Sequence, residues 1–196
     1  MIGNFYIEAG LKPNNVEDSS GFDDETYTKN VDNGTYSKES FVNDEAGYGL
    51  AQWTYSSRKK ALYEYAKEKG TSIGDLNMQM EFLWKEMNST HKSGLNYMKQ
   101  NGDKSVDSLT EYFCWEFENP GVPHMNERKR YANDIYEKYK NNHNNSNGSV
   151  DKSKISQLKT EEDKIINSYR SYKFFNNNGL SYLQVHGGQM QEQVHI

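Results

Sequence analysis

Two stretches of the chain carry residue types that could do chemistry. The first, IGNFYIEAGLKP, runs from Ile2 to Pro13 and sets Glu8 between Ile7 and Ala9; the second, GYGLAQWT, runs from Gly47 to Thr54. Ile2, Phe5, Tyr6 and Ala9 recur at helical spacing, and Gly10 followed by Pro13 supplies a stop, so Glu8 falls in the last turn of a short, largely apolar helix. At that end the helix macrodipole is negative and opposes a carboxylate, and partial burial acts in the same direction. Both effects favour a carboxyl that holds its proton, which is what a general acid needs. An acid of this kind protonates the leaving oxygen in glycoside hydrolysis.

The second stretch suits a saccharide. Gly47 and Gly49 let the backbone come close to a ligand or take positive φ, which residues with a Cβ do reluctantly. Gln52 both donates and accepts, as contact with an N-acetyl group or orientation of a water requires. Tyr48 and Trp53 present flat apolar faces with polar tips, the form that pyranose rings and wet clefts call for. Leu50 belongs in the core, and Trp53 divides evenly between core and cleft.

Other chemistries find no footing. His91, His124, His143, His186 and His195 are scattered, without HExxH or paired Cys/His spacing, so neither a metal nor a cofactor is expected. A GxSxG elbow and a P-loop are missing. The single cysteine, Cys114, lies between Phe113 and Trp115 and reads as a core thiol. A net charge of -5 argues against nucleic acid, and the densest basic run, Glu127 to Arg130, reads as a solvated helix face. No apolar run approaches the roughly 18 residues of a membrane span, and the start carries no secretory signal pattern.

The elements that must position Glu8 and the glycine-rich stretch follow from periodicity. After the first helix, residues 14–46 are acidic and polar, and Asn33-Gly34 between two Thr/Tyr-bearing runs predicts a two-residue β-hairpin. From residue 56 the period turns helical. Ala61, Leu62, Tyr65 and Ala66 mark one helix, Met78, Phe82, Leu83 and Met87 a second, and Leu95 with Met98 a short third. Val106, Leu109, Phe113 and Phe117 mark a fourth, ended by Asn119-Pro120-Gly121, and Tyr131, Ile135 and Tyr139 a fifth. The fold class expected is mainly α, a lysozyme-like α+β arrangement of helices with one small hairpin inserted. Residues 1–140 form the domain, the Asn-rich stretch 141–150 a linker, and residues 151–196 a C-terminal tail with one amphipathic helix, or the start of a further module.

A helix ending in glutamate, a small polar insertion and then a Gly-Leu-Ala-Gln stretch resembles the order of parts in the lysozyme-like superfamily. Ile2-Gly3-Asn4, Glu8 to Pro13, and Gly47 to Thr54 with Arg58 behind are similar to the tail-associated lysozyme domains of phages that attack Gram-positive walls. The likeness continues through Leu76, Met80 to Glu86, Phe117 to Gly121, Arg128, Tyr131 and Ala132, and so covers about residues 2–140. The resemblance implies a peptidoglycan hydrolase that cleaves the glycan between N-acetylmuramic acid and N-acetylglucosamine, with Glu8 as general acid. It implies the glycan strand as partner, other tail or wall-hydrolase modules in a longer chain, and a place in the phage tail or outside the cell at the wall. By analogy with lysozymes whose second acid lies in the hairpin, Glu25 and Asp32 are the first candidates for a second carboxylate. A lytic transglycosylase using the same glutamate, and a non-catalytic wall-binding or tail-assembly module, are the alternatives. The second rests on Ala9, where the family commonly has serine, and on the lack, in this sequence, of the helix that usually precedes the Gly-Asn pair.

Overall fold

The computed structural model describes residues 1–139; the linker and tail expected at 141–196 lie outside the described residues. Eight α-helices account for most of it: α1 Ile2–Ala9, α2 Asp24–Asn33, α3 Lys38–Asn43, α4 Ser56–Lys69, α5 Leu76–Asn88, α6 Lys92–Gln100, α7 Val106–Phe113 and α8 Met125–Tyr139. A π-helical turn, Cys114–Glu118, continues α7. The mainly helical class and, within residues 1–139, the helices read from the 3.6-residue period are present.

The polar segment 14–46 departs from expectation. Where a hairpin was expected about Asn33-Gly34, the chain forms α2 and α3. Asp23 caps α2 by accepting the Thr26 N–H at 2.9 Å, and Ser37 caps α3 by accepting the Ser40 N–H at 3.0 Å. Gly34, at φ 81°, ends α2 in the left-handed region. A type I′ hairpin turn and a helix stop both call for a residue at ease with positive φ, so Asn-Gly suits either. The inward positions of α2, Tyr27, Thr28 and Val31, are few but all buried. They let so polar a segment dock as a helix.

The little extended structure lies elsewhere, in the glycine-rich stretch itself. Tyr48 and Trp53 exchange backbone hydrogen bonds at 3.2 and 2.9 Å, closing a tight loop over residues 49–52. On the other side the backbone of residues 15–17 pairs with it, through Gly49 N–H to Asn15 O at 2.8 Å and Glu17 N–H to Gly47 O at 2.9 Å.

One hydrophobic core runs through the described residues, with Phe5, Leu50, Trp53, Leu62, Met80, Phe82, Leu83 and Phe113 among its members. Cys114 is buried, as its aromatic neighbours imply. α8 packs against α1 and α7. The approach of α1 to α8 needs a glycine: a Cβ on Gly3 would meet the Arg128 carbonyl oxygen at 2.5 Å and the Ala132 Cβ at 2.8 Å. That contact fixes where the end of α1 sits.

Candidate active site

Glu8 occupies the last turn of α1, which Gly10 ends in a left-handed conformation at φ 56°. Its side chain is 16% exposed, so the carboxyl is sheltered yet reachable. The sequence places apolar neighbours around it; the structure adds a cation. Arg128 Nη2 donates to Glu8 Oε1 in an ion pair. The guanidinium is itself buried and held on its other edges. Nη1 donates to the Asn4 carbonyl and to Asn4 Oδ1 at 3.3 and 3.2 Å, and Nε donates to the Pro123 carbonyl at 2.6 Å. Asn4, also buried, anchors to α7 by donating to the Thr110 carbonyl at 3.3 Å. Thus the Gly3-Asn4 pair has two physical tasks: Gly3 admits α8, and Asn4 orients the arginine that meets Glu8.

Arg128 corrects the reading of the Glu127 to Arg130 run as a solvated face, since it is 1% exposed. The signal was in the spacing. Arg128 stands at i, i+3, i+4 and i+7 with Tyr131, Ala132 and Ile135, so it shares the inward stripe of α8.

A second carboxyl approaches this network from the end of the π turn. Glu118 is half-buried as a residue, but its Oε1 is shut off from solvent and has no hydrogen-bond partner. Burial pushes the Glu118 carboxyl well above the usual carboxylate range, and the Glu8 charge pushes the same way, against Arg58 and Arg128. No spacing in the sequence singled it out. Its place depends on a π turn, which shifts residues off the 3.6-residue face.

The glycine-rich stretch connects to the same region through its tryptophan. Trp53 Nε1 donates to Glu86 Oε2 at 2.9 Å, and Arg58 grips both oxygens of Glu86, Nε to Oε1 and Nη2 to Oε2, each at 2.8 Å. The Arg58 guanidinium lies 4.7 Å from the centre of the Phe117 ring, one residue before Glu118. A chain of contacts thus runs from Trp53 through Glu86 and Arg58 to the π turn.

A family model described as phage tail lysozyme matches residues 1–139. The chain belongs to the phage tail lysozyme family. With membership comes a peptidoglycan hydrolase of lysozyme type, acting from the virion or at the cell wall. No curated protein and no solved structure matches the chain. Among the described residues no helix is long and apolar enough to cross a membrane.

In this member of the family the motif residues fall differently from the sequence reading. Tyr48 and Trp53 are both fully buried, which removes them as stacking faces for a sugar. The Tyr48 hydroxyl shares a 2.6 Å hydrogen bond with Thr28 on α2, and the Trp53 ring packs on Phe82. Gln52 is half-buried at φ 43° and turns its amide inward, donating to Asn15 Oδ1 at 2.9 Å and to the Gly49 carbonyl at 3.1 Å. Gly49 has φ 74°, and a Cβ there would meet the Gln79 amide at 2.7 Å. Gln79, fully buried, accepts the Leu50 N–H at 3.0 Å and donates to the Ile73 carbonyl at 2.7 Å. Gly-Tyr-Gly-Leu-Ala-Gln-Trp is therefore a clamp that joins residues 15–17 to α5, with Leu50 in the core as expected.

Glu25 and Asp32 both lie on α2. Glu25 is exposed in its first turn; Asp32 accepts the Ile73 N–H at 2.9 Å and so ties α2 to the segment before α5. Neither is joined to Glu8 by a hydrogen bond or an ion pair. The groups that the structure does bring to Glu8 are Arg128 and, electrostatically, Glu118.

Proposed function

We propose that the domain cleaves the glycan of Gram-positive peptidoglycan between N-acetylmuramic acid and N-acetylglucosamine, with Glu8 as the general acid. The observation that carries this reading is the state of Glu8: a carboxyl at a helix C-terminus, 16% exposed, at the open end of a network otherwise sealed from solvent. In that position it can reach a glycosidic oxygen while Arg128 steadies the carboxylate left after proton transfer. Clearing of purified Gram-positive walls tests the activity; walls that pellet with the protein undegraded would favour a binding or tail-assembly module.

Lytic transglycosylation is a second reading, and one observation favours it. Glu25 and Asp32, on α2, share no hydrogen bond or ion pair with Glu8, and burial favours the protonated form of Glu118, the carboxyl that does approach its network, whereas a retaining hydrolase wants a nucleophilic carboxylate about 5–5.5 Å from the acid and an inverting one a basic carboxylate about 6.5–9.5 Å away. A transglycosylase works with a single acid/base because the substrate's own hydroxyl closes the ring. Mass spectrometry of the digest separates the two: hydrolysis adds a water and leaves a reducing end, and transglycosylation leaves a 1,6-anhydro end lighter by one water. We place the catalytic unit within residues 1–140 and assign residues 151–196 to a tail or further module beyond the 141–150 linker. Assembly into a phage tail, with other modules in a longer chain, completes the proposal.

A further inference from the structure

The segment that leads from the π turn to α8, residues 119–124, passes beside Glu8. Arg128 brings the two together. Through adjoining nitrogens of one planar guanidinium it donates to the Glu8 carboxyl, by Nη2, and to the Pro123 carbonyl, by Nε at 2.6 Å. The two acceptors are therefore neighbours. The segment is also stiff, because Pro120 and Pro123 fix two of its φ angles. At one end the Asn119 N–H donates to the Cys114 carbonyl at 2.7 Å and closes the π turn; at the other the His124 carbonyl accepts the Arg128 N–H at 3.1 Å and opens α8. Asn119 and His124 make these bonds at φ 45° and 44°, left-handed conformations that a side chain disfavours.

Between these anchors Val122 is 67% exposed. A lone exposed aliphatic is ordinary on a protein surface. What distinguishes Val122 is its place, one Cα step of about 3.8 Å before the residue whose carbonyl shares a guanidinium with the acid. Glu8 has one oxygen on Arg128, and among the described residues its other oxygen, Oε2, accepts no hydrogen bond and is left for a ligand.

We propose that residues 119–124 form one wall of the sugar subsite at Glu8, with the Val122 methyl groups packing on the C–H face or the acetyl methyl of an N-acetylated amino sugar. The inference rests on the reading of Glu8 as general acid and extends it to how the substrate is held. An amino sugar carries polar groups around its edge and C–H groups on its faces, so its site needs an apolar surface as well as hydrogen-bond partners. With Tyr48 and Trp53 buried, the glycine-rich stretch does not offer that surface through its aromatic rings. A stiff wall binds without first losing conformational freedom, so Val122 helps to hold the sugar and leaves proton transfer to Glu8.

Val122→Ser removes the methyl groups, and Val122→Leu keeps an apolar surface. Because the side chain is exposed, both variants should melt like the parent. In wall clearing, Val122→Ser should raise the wall concentration that gives half the maximal rate by about three- to tenfold, below the roughly 10–200-fold that one methylene is worth in a closed pocket. The maximal rate should stay near the parent's, and Val122→Leu should match the parent in both. Retention on purified walls, measured in a Glu8→Gln background, should fall with Val122→Ser in the same proportion. An unchanged half-maximal concentration overturns the proposal. So does a fall in maximal rate alone, or a lowered melting point, since either would make Val122 a support of the fold. Normal lysis by Glu8→Gln would defeat the reading of Glu8, while the half-maximal concentration reports separately on Val122.

Discussion

Replacing Arg128 by methionine keeps much of the aliphatic volume and removes every hydrogen bond of the guanidinium. The loss is large because the site is sealed: the arginine side chain is 2% exposed and Glu8 16%. Glu8 loses its countercharge, and the Asn4 Oδ1, Asn4 carbonyl and Pro123 carbonyl each lose a donor. Breaking a buried ion pair from one side costs about 3–5 kcal/mol, chiefly by stranding the remaining charge. Partial exposure of Glu8 puts the expected value toward the lower end, about 3 kcal/mol. Urea denaturation of Arg128→Met against the parent chain measures it, with an unchanged m-value as the sign that the folded state itself is intact. If the cost arises from the stranded carboxylate, adding Glu8→Gln should return part of it, and the double-mutant cycle should show a coupling of about 0.5–3 kcal/mol, the range for residues in one network. A loss under about 1 kcal/mol, the ordinary effect of a substitution, would refute the reasoning. So would strict additivity in the cycle.

Three further outcomes follow from the same structure. Glu118 has a folded-state pKa raised above its unfolded value, so its contribution is fully present below about pH 4.3 and is lost as pH rises through the folded value, at up to about 1.4 kcal/mol per pH unit. Glu118→Gln should flatten that fall as pH rises above about 4.3 in urea titrations, and an unchanged slope would contradict the burial of a protonated Glu118. Gly3→Ala should destabilise by about 1–3 kcal/mol, as overpacking does, because the new Cβ meets backbone of α8 at 2.5 Å; a calorimetric melting point equal to the parent's would contradict the contact. A chain stopped near Asn141 should fold and clear walls, and an insoluble or inactive truncation would move the domain boundary into the tail.

How much could be read in the sequence depended on whether one conformation accounted for the signal. The apolar stripes of α4, α5, α7 and α8 were legible because only a 3.6-residue helix brings Met78, Phe82 and Met87, or Tyr131 and Ile135, to one side. The α2 and α3 helices were not legible, since Asn33-Gly34 serves a helix stop as well as a hairpin and Tyr27 and Val31 make a thin stripe. The place of Glu8 in the last turn of α1 was legible because its apolar neighbours and the Gly10 stop both mark a helix end. Arg128 was hidden by charged neighbours despite sharing the inward stripe, and Glu118 by a π turn that no periodicity announces. The aromatic residues of the glycine-rich stretch, Tyr48 expected in the cleft and Trp53 open to either place, were ambiguous for another reason. Tyr48 and Trp53 have polar tips that suit a wet cleft, but a buried hydroxyl on Thr28 and a buried N–H on Glu86 satisfy them equally well.

The central claim is that Glu8 is the general acid, and Glu8→Gln tests it most directly. The amide oxygen can still accept from Arg128, whose other bonds to Asn4 and Pro123 remain, so the variant should fold and pellet with purified walls. Its lysis rate, measured by the clearing of those walls, should fall at least about a hundredfold, the lower end of what general acid catalysis supplies. Lysis close to the parent rate by a folded Glu8→Gln would contradict the account.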